Sequence, residues 1–172
     1  MDGDERIREA LERSVKAVTL RPAIARRTGV TRATLKPGLA CEVEDGPFKI
    51  SVGMGPSTGG TGEHPGPGTL GRGALASCLT LGYAMWAARL GVPLDGVQVE
   101  VEADYDSQGE LGISDDVPPG YTAVRYTVTV ESAAPEADVL RVIDTADRYS
   151  PYYDVFTRAN DLQRKVVVTA PR

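Results

Sequence analysis

The feature that most constrains this chain is the stretch TLGRGALASCLTLGYAMWAARLG, residues 69–91, which reads as its longest helix and is apolar over most of its circumference. A helix with so little polar surface cannot lie on the outside of a protein and has to be wrapped by other elements. Thr69 is the expected N-cap, and Gly91-Val92-Pro93 is the stop, because glycine accepts the left-handed cap and proline cannot continue the helix. Polar residues and glycines interrupt the apolar run well short of a membrane-spanning length, and no membrane association is expected.

The rest of the chain supplies the wrapping. Residues 4–18 carry Ile7, Ala10, Leu11, Val15 and Val18 at helical spacing between Glu and Arg, which predicts an amphipathic surface helix limited by Pro22. Residues 31–52 switch to shorter β-type runs, TRATLKPGLACEVE and PFKISVG, joined by a hairpin turn at Asp45-Gly46-Pro47. Residues 53–68, GMGPSTGGTGEHPGPG, have no apolar periodicity and form a loop, long enough that its neighbourhood is a place to seek a site.

Past the long helix, Val97, Val99, Val101, Ala103 and Tyr105 alternate with Gln98, Glu100, Glu102 and Asp104, the pattern of a half-buried strand. Val124, Tyr126, Val128 and Val130 repeat it, and antiparallel pairing across the polar connection 106–120 brings Arg125 to the acidic face of its neighbour. Residues 134–148 predict a second packed helix on Val139, Leu140, Val142, Ile143 and Ala146, ending near Tyr149-Ser150-Pro151 because the residue before a proline leaves the helical region. A short aromatic stretch, YYDVF, follows, and residues 165–169 are expected to close the chain as a strand. At 172 residues and 41% hydrophobic content, one α+β domain over residues 1–172 is expected, with 1–30 a helical extension and 31–172 the core.

Composition then removes several function classes. A net charge of −5 with scattered Lys and Arg leaves no basic face for nucleic acid. The acidic, amphipathic start lacks the basic and apolar regions of a secretory signal, so a cytoplasmic protein is expected. Two cysteines, Cys41 and Cys78, make no disulfide framework and no CxxC or His/Cys cluster for zinc. The GGTG run misses the Walker spacing, and no cofactor is expected.

Cys78, within the long helix, is the principal candidate for chemistry: a thiol expected one to two turns below a helix start can have its thiolate held by the helix dipole and a nearby cation. Its helix face, with Gly71, Ala74, Leu75, Leu81, Gly82 and Met85, has small residues that let another backbone come close. The competing reading is inert packing, since free cysteine is among the most buried residue types. Cys41 shares a strand face with Leu39 and Val43 and reads as core. His64, the only histidine, sits beside Glu63 in the glycine-rich loop, where a dyad with Cys78 and a surface position are both open. Asp115 and Asp116 read as turn formers, and Glu42, Glu44 and Asp45 as solvating a strand.

The segment PGTLGRGALASCLTLGYAMWAARLG from Pro67 resembles the OsmC/Ohr family: a proline ahead of a helix, an ALASC-type run and an apolar tail ending in glycine. DRYSPYYDVF matches the family's second-cysteine region in placement, and the order of elements agrees over residues 31–169. The resemblance implies an intertwined homodimer, antiparallel-rich sheets wrapped around central helices, with paired sites at the interface. It also implies reduction of an organic hydroperoxide by an attacking cysteine, with an Arg on its thiolate, a Glu orienting the Arg, and a second cysteine closing a disulfide. Cys78 matches the attacking position. Ser150 stands where the second cysteine would be, Gly68 stands where the Glu would be, and the Arg has no clear match; Arg32 and Lys36 are the nearest basic residues by order, and Arg72 lies off the face of Cys78. Two functions remain open: a peroxidase recycled by an external thiol, with Cys78 and Arg32 as catalytic residues, or a binder of a small apolar ligand in an interface pocket lined by Trp86, Tyr149, Ser150 and Tyr152, with Tyr153 and Phe156 beside them.

Overall fold

A computed structural model describes residues 3–170. Helix α1, Gly3–Leu20, carries no fully buried residue and lies along the surface with Ile7 and Leu11 half-buried, as its amphipathic pattern requires. Three short strands follow, β1 Arg32–Lys36, β2 Ala40–Asp45 and β3 Phe48–Gly53, in one antiparallel sheet of order β1-β2-β3. The turn at Asp45-Gly46-Pro47 lies where the sequence places it, but the run 31–44 is two strands and not one. Pro37-Gly38-Leu39 breaks it: Gly38 and Leu39 both have positive φ, 77° and 51°, which reverses the chain and pairs Leu35 with Cys41. On the solvent face Glu42 lies between Lys36 and Lys49, at 3.7 and 3.5 Å, and the Lys49 ammonium holds the Glu44 carboxyl below its ordinary range.

The glycine-rich segment is a loop with one short 3-10 turn at Pro56–Thr58. It folds back on itself so closely that a Cβ at Gly60 would stand 2.0 Å from the Met54 carbonyl oxygen, so only glycine fits there.

Helix α2 runs Pro67–Leu90 and ends on Gly91 at φ 68°, as predicted. Its start differs. Gly66 is the N-cap and Pro67 the first helical residue, because proline's fixed φ suits that position and its missing N–H costs nothing there; Thr69 lies inside the first turn. Beyond it come β4 Gly96–Tyr105, the short helix α3 Ser107–Glu110, and β5 Tyr121–Glu131, the two strands pairing antiparallel with Glu102 opposite Arg125. Arg125 donates to both Glu102 oxygens at 3.0 and 3.1 Å and to Asp104 Oδ2 at 2.7 Å, so the predicted charge pairing across the sheet is present.

Helix α4, Glu136–Arg148, packs on α2, and a further helix, α5 Pro151–Thr157, follows at once. The core is the seam between these elements: Leu75, Leu79 and Tyr83 of α2 and Ala146 of α4 lie under Val97, Val99, Val101, Tyr126 and Val128 of the β4-β5 sheet. Leu79 and Val142 are essentially inaccessible, and such burial stabilises by about 1.5–3 kcal/mol per side chain.

The segment 165–169 is not a strand. Residues 158–170 make no strand pairing, and Val166, Val167 and Val168 are 68, 72 and 89% exposed. A β-prone run becomes a strand only beside a free sheet edge, and this tail lies against none within its own chain. One face of α2 is likewise uncovered, with Leu81 65% exposed. Among the described residues no helix is long and apolar enough to cross a membrane.

Candidate functional site around Cys78

Cys78 lies eleven residues into α2, which at about 1.5 Å per residue is roughly three turns from the helix start. The dipole acts on the first turn only, and even counted from Thr69 the thiol lies about two and a half turns in, so the dipole does not reach it. A side-chain hydroxyl lies beside the sulfur: Cys78 Sγ is 3.5 Å from Ser150 Oγ. The sulfur's residue is half-buried and not sealed, while Ser150 is 7% exposed.

Local sequence fixes that hydroxyl. Helix α4 ends at Arg148, and Ser150 is the N-cap of α5, its Oγ accepting from Tyr153 N at 3.3 Å with Pro151 in the first helical position. A hydroxyl has one proton. With an N–H already directed at its oxygen, the Ser150 proton is free to donate to the sulfur, and in the thiolate state it is the only donor of the pair. Sequence reading placed Ser150 at the second-cysteine position, and the fold brings that position directly against Cys78 across 72 residues of chain.

A buried polar clamp holds the α4-α5 corner in place. Asp147, one turn before Ser150, accepts from the Tyr83 hydroxyl at 2.8 Å and from the Tyr126 hydroxyl at 2.7 Å, one on each carboxylate oxygen. The clamp ties α4 to α2 through Tyr83 and to the sheet through Tyr126, and Tyr126 meets the Tyr153 ring edge-on at 6.4 Å. Burial, then the hydrogen bond to the Asp147 carboxylate, pushes both phenols well above their ordinary pKa, so both remain donors. Sequence reading missed all three residues. A signal existed in the tyrosines at inward positions of an apolar helix and an alternating strand, since a buried phenol needs an acceptor, but nothing in the sequence names Asp147 as that acceptor.

The other candidate residues are placed elsewhere. Arg32 is on β1, exposed and opposite Glu44 in register. Trp86 and Tyr149 stack with ring centroids 5.2 Å apart, flanked by Arg89 over Trp86 at 4.7 Å and Arg148 over Tyr149 at 5.4 Å; Trp86 packs against the core and the exposed Tyr149 covers it. Tyr152 is on α5 and 43% exposed, and Phe156 packs against the core. Cys41 is half-buried on β2 opposite Leu35 and Val52. His64 packs beside Gly53 and lines a cavity at the head of α2 whose walls do not include Cys78.

Two helices packed under a two-stranded sheet, with a second sheet standing apart and a thiol facing a buried hydroxyl at a helix corner, define an α+β protein with a helix-borne cysteine site. The profile of the family described as OsmC-like protein matches residues 60–164. The chain belongs to that family. Solved structures agree on the fold: an OsmC-like protein from Mycoplasma pneumoniae superposes with TM-score 0.66 at 15% identity, covering 76% of this chain and 87% of that one. An organic hydroperoxide resistance protein OsmC from Legionella pneumophila gives 0.57 at 17% identity over 76% and 90%, and an organic hydroperoxide resistance protein from Elizabethkingia anophelis gives 0.59 at 13% over 77% and 89%. No curated protein matches the chain in sequence.

Proposed function

We propose that this protein reduces organic hydroperoxides with Cys78 as the reacting thiol, in a one-cysteine cycle completed by an external thiol in a reducing cytoplasm. The observation that carries the reading is the 3.5 Å contact between the sulfur of half-buried Cys78 and the Ser150 hydroxyl, whose proton is available to a thiolate. Family membership and the peroxide-resistance proteins of the same fold support the reaction class. In the step, the Cys78 thiolate attacks one peroxide oxygen; the S–O bond forms, the O–O bond breaks, and the alkoxide leaves with a proton as an alcohol. The sulfenic acid then condenses with an external thiol, releasing water, and a second external thiol displaces the first as a disulfide and restores Cys78.

The test is direct oxidation of the reduced protein by one equivalent of cumene hydroperoxide, with each cysteine followed by dimedone trapping and peptide mass spectrometry. Cys78 should be trapped as the sulfenic acid while Cys41 stays a thiol, and Cys78→Ser should leave the hydroperoxide unconsumed. Equal, slow labelling of both cysteines counts against the reading.

We also propose that the working unit is an interlocked homodimer. The uncovered face of α2 around Leu81, Gly82 and Met85, the β1–β3 sheet with Leu35 77% and Phe48 73% exposed, and the unpaired valine tail at 166–168 are apolar surfaces that a second copy would cover. A Cβ at Gly82 would meet nothing within 4 Å, which leaves room for another helix backbone. In such a pair Arg32, on the outer strand of the exposed sheet, is the cation assigned to the thiolate across the interface. Light scattering should return twice the chain mass, and a monomer mass would remove the shared site.

A further inference from the structure

A second site lies at the head of α2, away from Cys78. A cavity of about 610 Å³ opens between the glycine-rich loop, the first turns of α2 and the ends of β4 and β5, a volume within the ~300–1,000 Å³ of small-molecule pockets. Its walls include Met54, His64, Arg72, Tyr105, Pro119 and Tyr121.

Arg72 distinguishes it. Arg13, Arg125, Arg141 and Arg158 each hold a carboxylate on the surface, and the other described arginines without one are exposed to solvent. Arg72 is half-buried and, among the described residues, has no carboxylate partner; its side-chain contact is Nη1 donating to the Tyr121 hydroxyl at 3.4 Å. That hydroxyl in turn donates to the Gly68 carbonyl at 3.1 Å. Tyr121 therefore orients the guanidinium and uses one N–H, leaving the rest of a five-donor fork without a protein acceptor beside an open cavity. A half-buried guanidinium is held by fewer waters than an exposed one, and its planar fork matches a carboxylate in bidentate geometry. Arg72 is the one Lys or Arg on a wall that also carries Glu110, a balance that favours a single negative charge over a phosphate dianion. Met54, Pro67, Pro119 and the Tyr105 ring give the remaining lining an apolar character that suits a carbon body.

From this we infer that the cavity binds a small organic monocarboxylate, its carboxylate on Arg72 and its apolar body against Met54 and Tyr105. The site shares no side chain with the Cys78–Ser150 contact, although its wall includes Gly68, the position at which the resemblance puts a Glu; carboxylate binding and Cys78 oxidation are read by different measurements.

His64 is the only histidine of the chain, so its imidazole C–H proton resonances report on this cavity alone. Titration of the full-length protein with benzoate should shift them saturably, while the neutral isostere benzamide should bind at least about tenfold more weakly, the scale of a charge-assisted hydrogen bond. Arg72→Gln should weaken benzoate by about ten- to a hundredfold on the same grounds. Gly68→Glu provides a second variant. A Cβ there would meet Arg72 Nη1 at 3.4 Å and Tyr121 Oη at 3.5 Å, ordinary contact distances, and an acidic residue suits the first helical turn. Its carboxylate should occupy Arg72 and exclude benzoate in a folded protein. Unsaturable shifts with benzoate, equal binding of benzamide, tighter binding of inorganic phosphate, or undiminished benzoate affinity in either folded variant would each overturn the inference.

Discussion

Ser150→Cys, treated with one equivalent of cumene hydroperoxide, is expected to close an intramolecular disulfide between Cys78 and the introduced thiol. The wild-type protein under the same conditions should stop at the sulfenic acid. The reason is placement: Cys78 Sγ and Ser150 Oγ already lie 3.5 Å apart at a corner where Ser150 is buried, and rotation about the two Cα–Cβ bonds is what remains to reach the ~2.05 Å of a disulfide. Once Cys78 carries the sulfenic acid, the new thiol attacks that sulfur, the S–O bond breaks and water leaves. Intact mass should show the loss of two hydrogens relative to the reduced variant, and excess hydroperoxide should no longer drive Cys78 on to sulfinic acid, the fate open to an unresolved sulfenic acid. Cys41 stays out of the reaction because it lies on β2 opposite Val52. Two thiols that remain separately alkylatable after the oxidant would mean that the corner does not hold the geometry described.

The largest stability effect is expected at Asp147. Asp147→Ala removes the single acceptor of two hydroxyls, one of them on Tyr83 at 0% exposure, and each buried donor left unpaired costs about 1–3 kcal/mol. A loss of roughly 2–5 kcal/mol follows from those two donors, a large part of the ~5–15 kcal/mol that holds a domain folded, and urea unfolding midpoints would read it. Tyr83→Phe should cost much less, because Asp147 keeps its bond from Tyr126, and adding Asp147→Ala to Tyr83→Phe should cost less than it does alone. Both tyrosines titrate above their unfolded values in the folded protein. Their contribution is therefore complete below the ordinary phenol pKa of about 10 and is lost as pH rises beyond it. A change within about 0.5 kcal/mol for Asp147→Ala, the scale of an ordinary surface substitution, would show that the clamp does not hold α4 to α2. Since Ser150 follows on the same corner, the variant should also slow oxidation of Cys78.

These expectations draw on different levels of information. The helices, the β4-β5 alternation and the Arg125 pairing were legible because each is written in a short-range period: apolar residues every three to four positions, or every second one, report a local element and the face it buries. Boundaries set by local competition were less legible. Thr69 is a good cap by type, yet Pro67 two residues earlier starts the helix, and the Pro37-Gly38-Leu39 reversal hides inside an otherwise β-like run. Helix α5 is announced only by Ser150-Pro151, a sound cap and first residue, because seven residues are too few for the aromatic run YYDVF to show a helical period.

By itself the sequence determined a long apolar helix carrying Cys78, an α+β architecture and a corner at Ser150, because hydrophobic period and turn chemistry are properties of neighbouring residues. Only the tertiary structure decided that Ser150 faces the sulfur, that Asp147 joins Tyr83 to Tyr126, and that Arg72 donates to Tyr121. Each of those contacts links residues 21 to 72 positions apart, and no local rule encodes which distant side chain will supply the donor or acceptor that a buried group requires. The valine tail shows the same limit from the other side: its composition favours a strand, but a strand exists only where another backbone offers an edge.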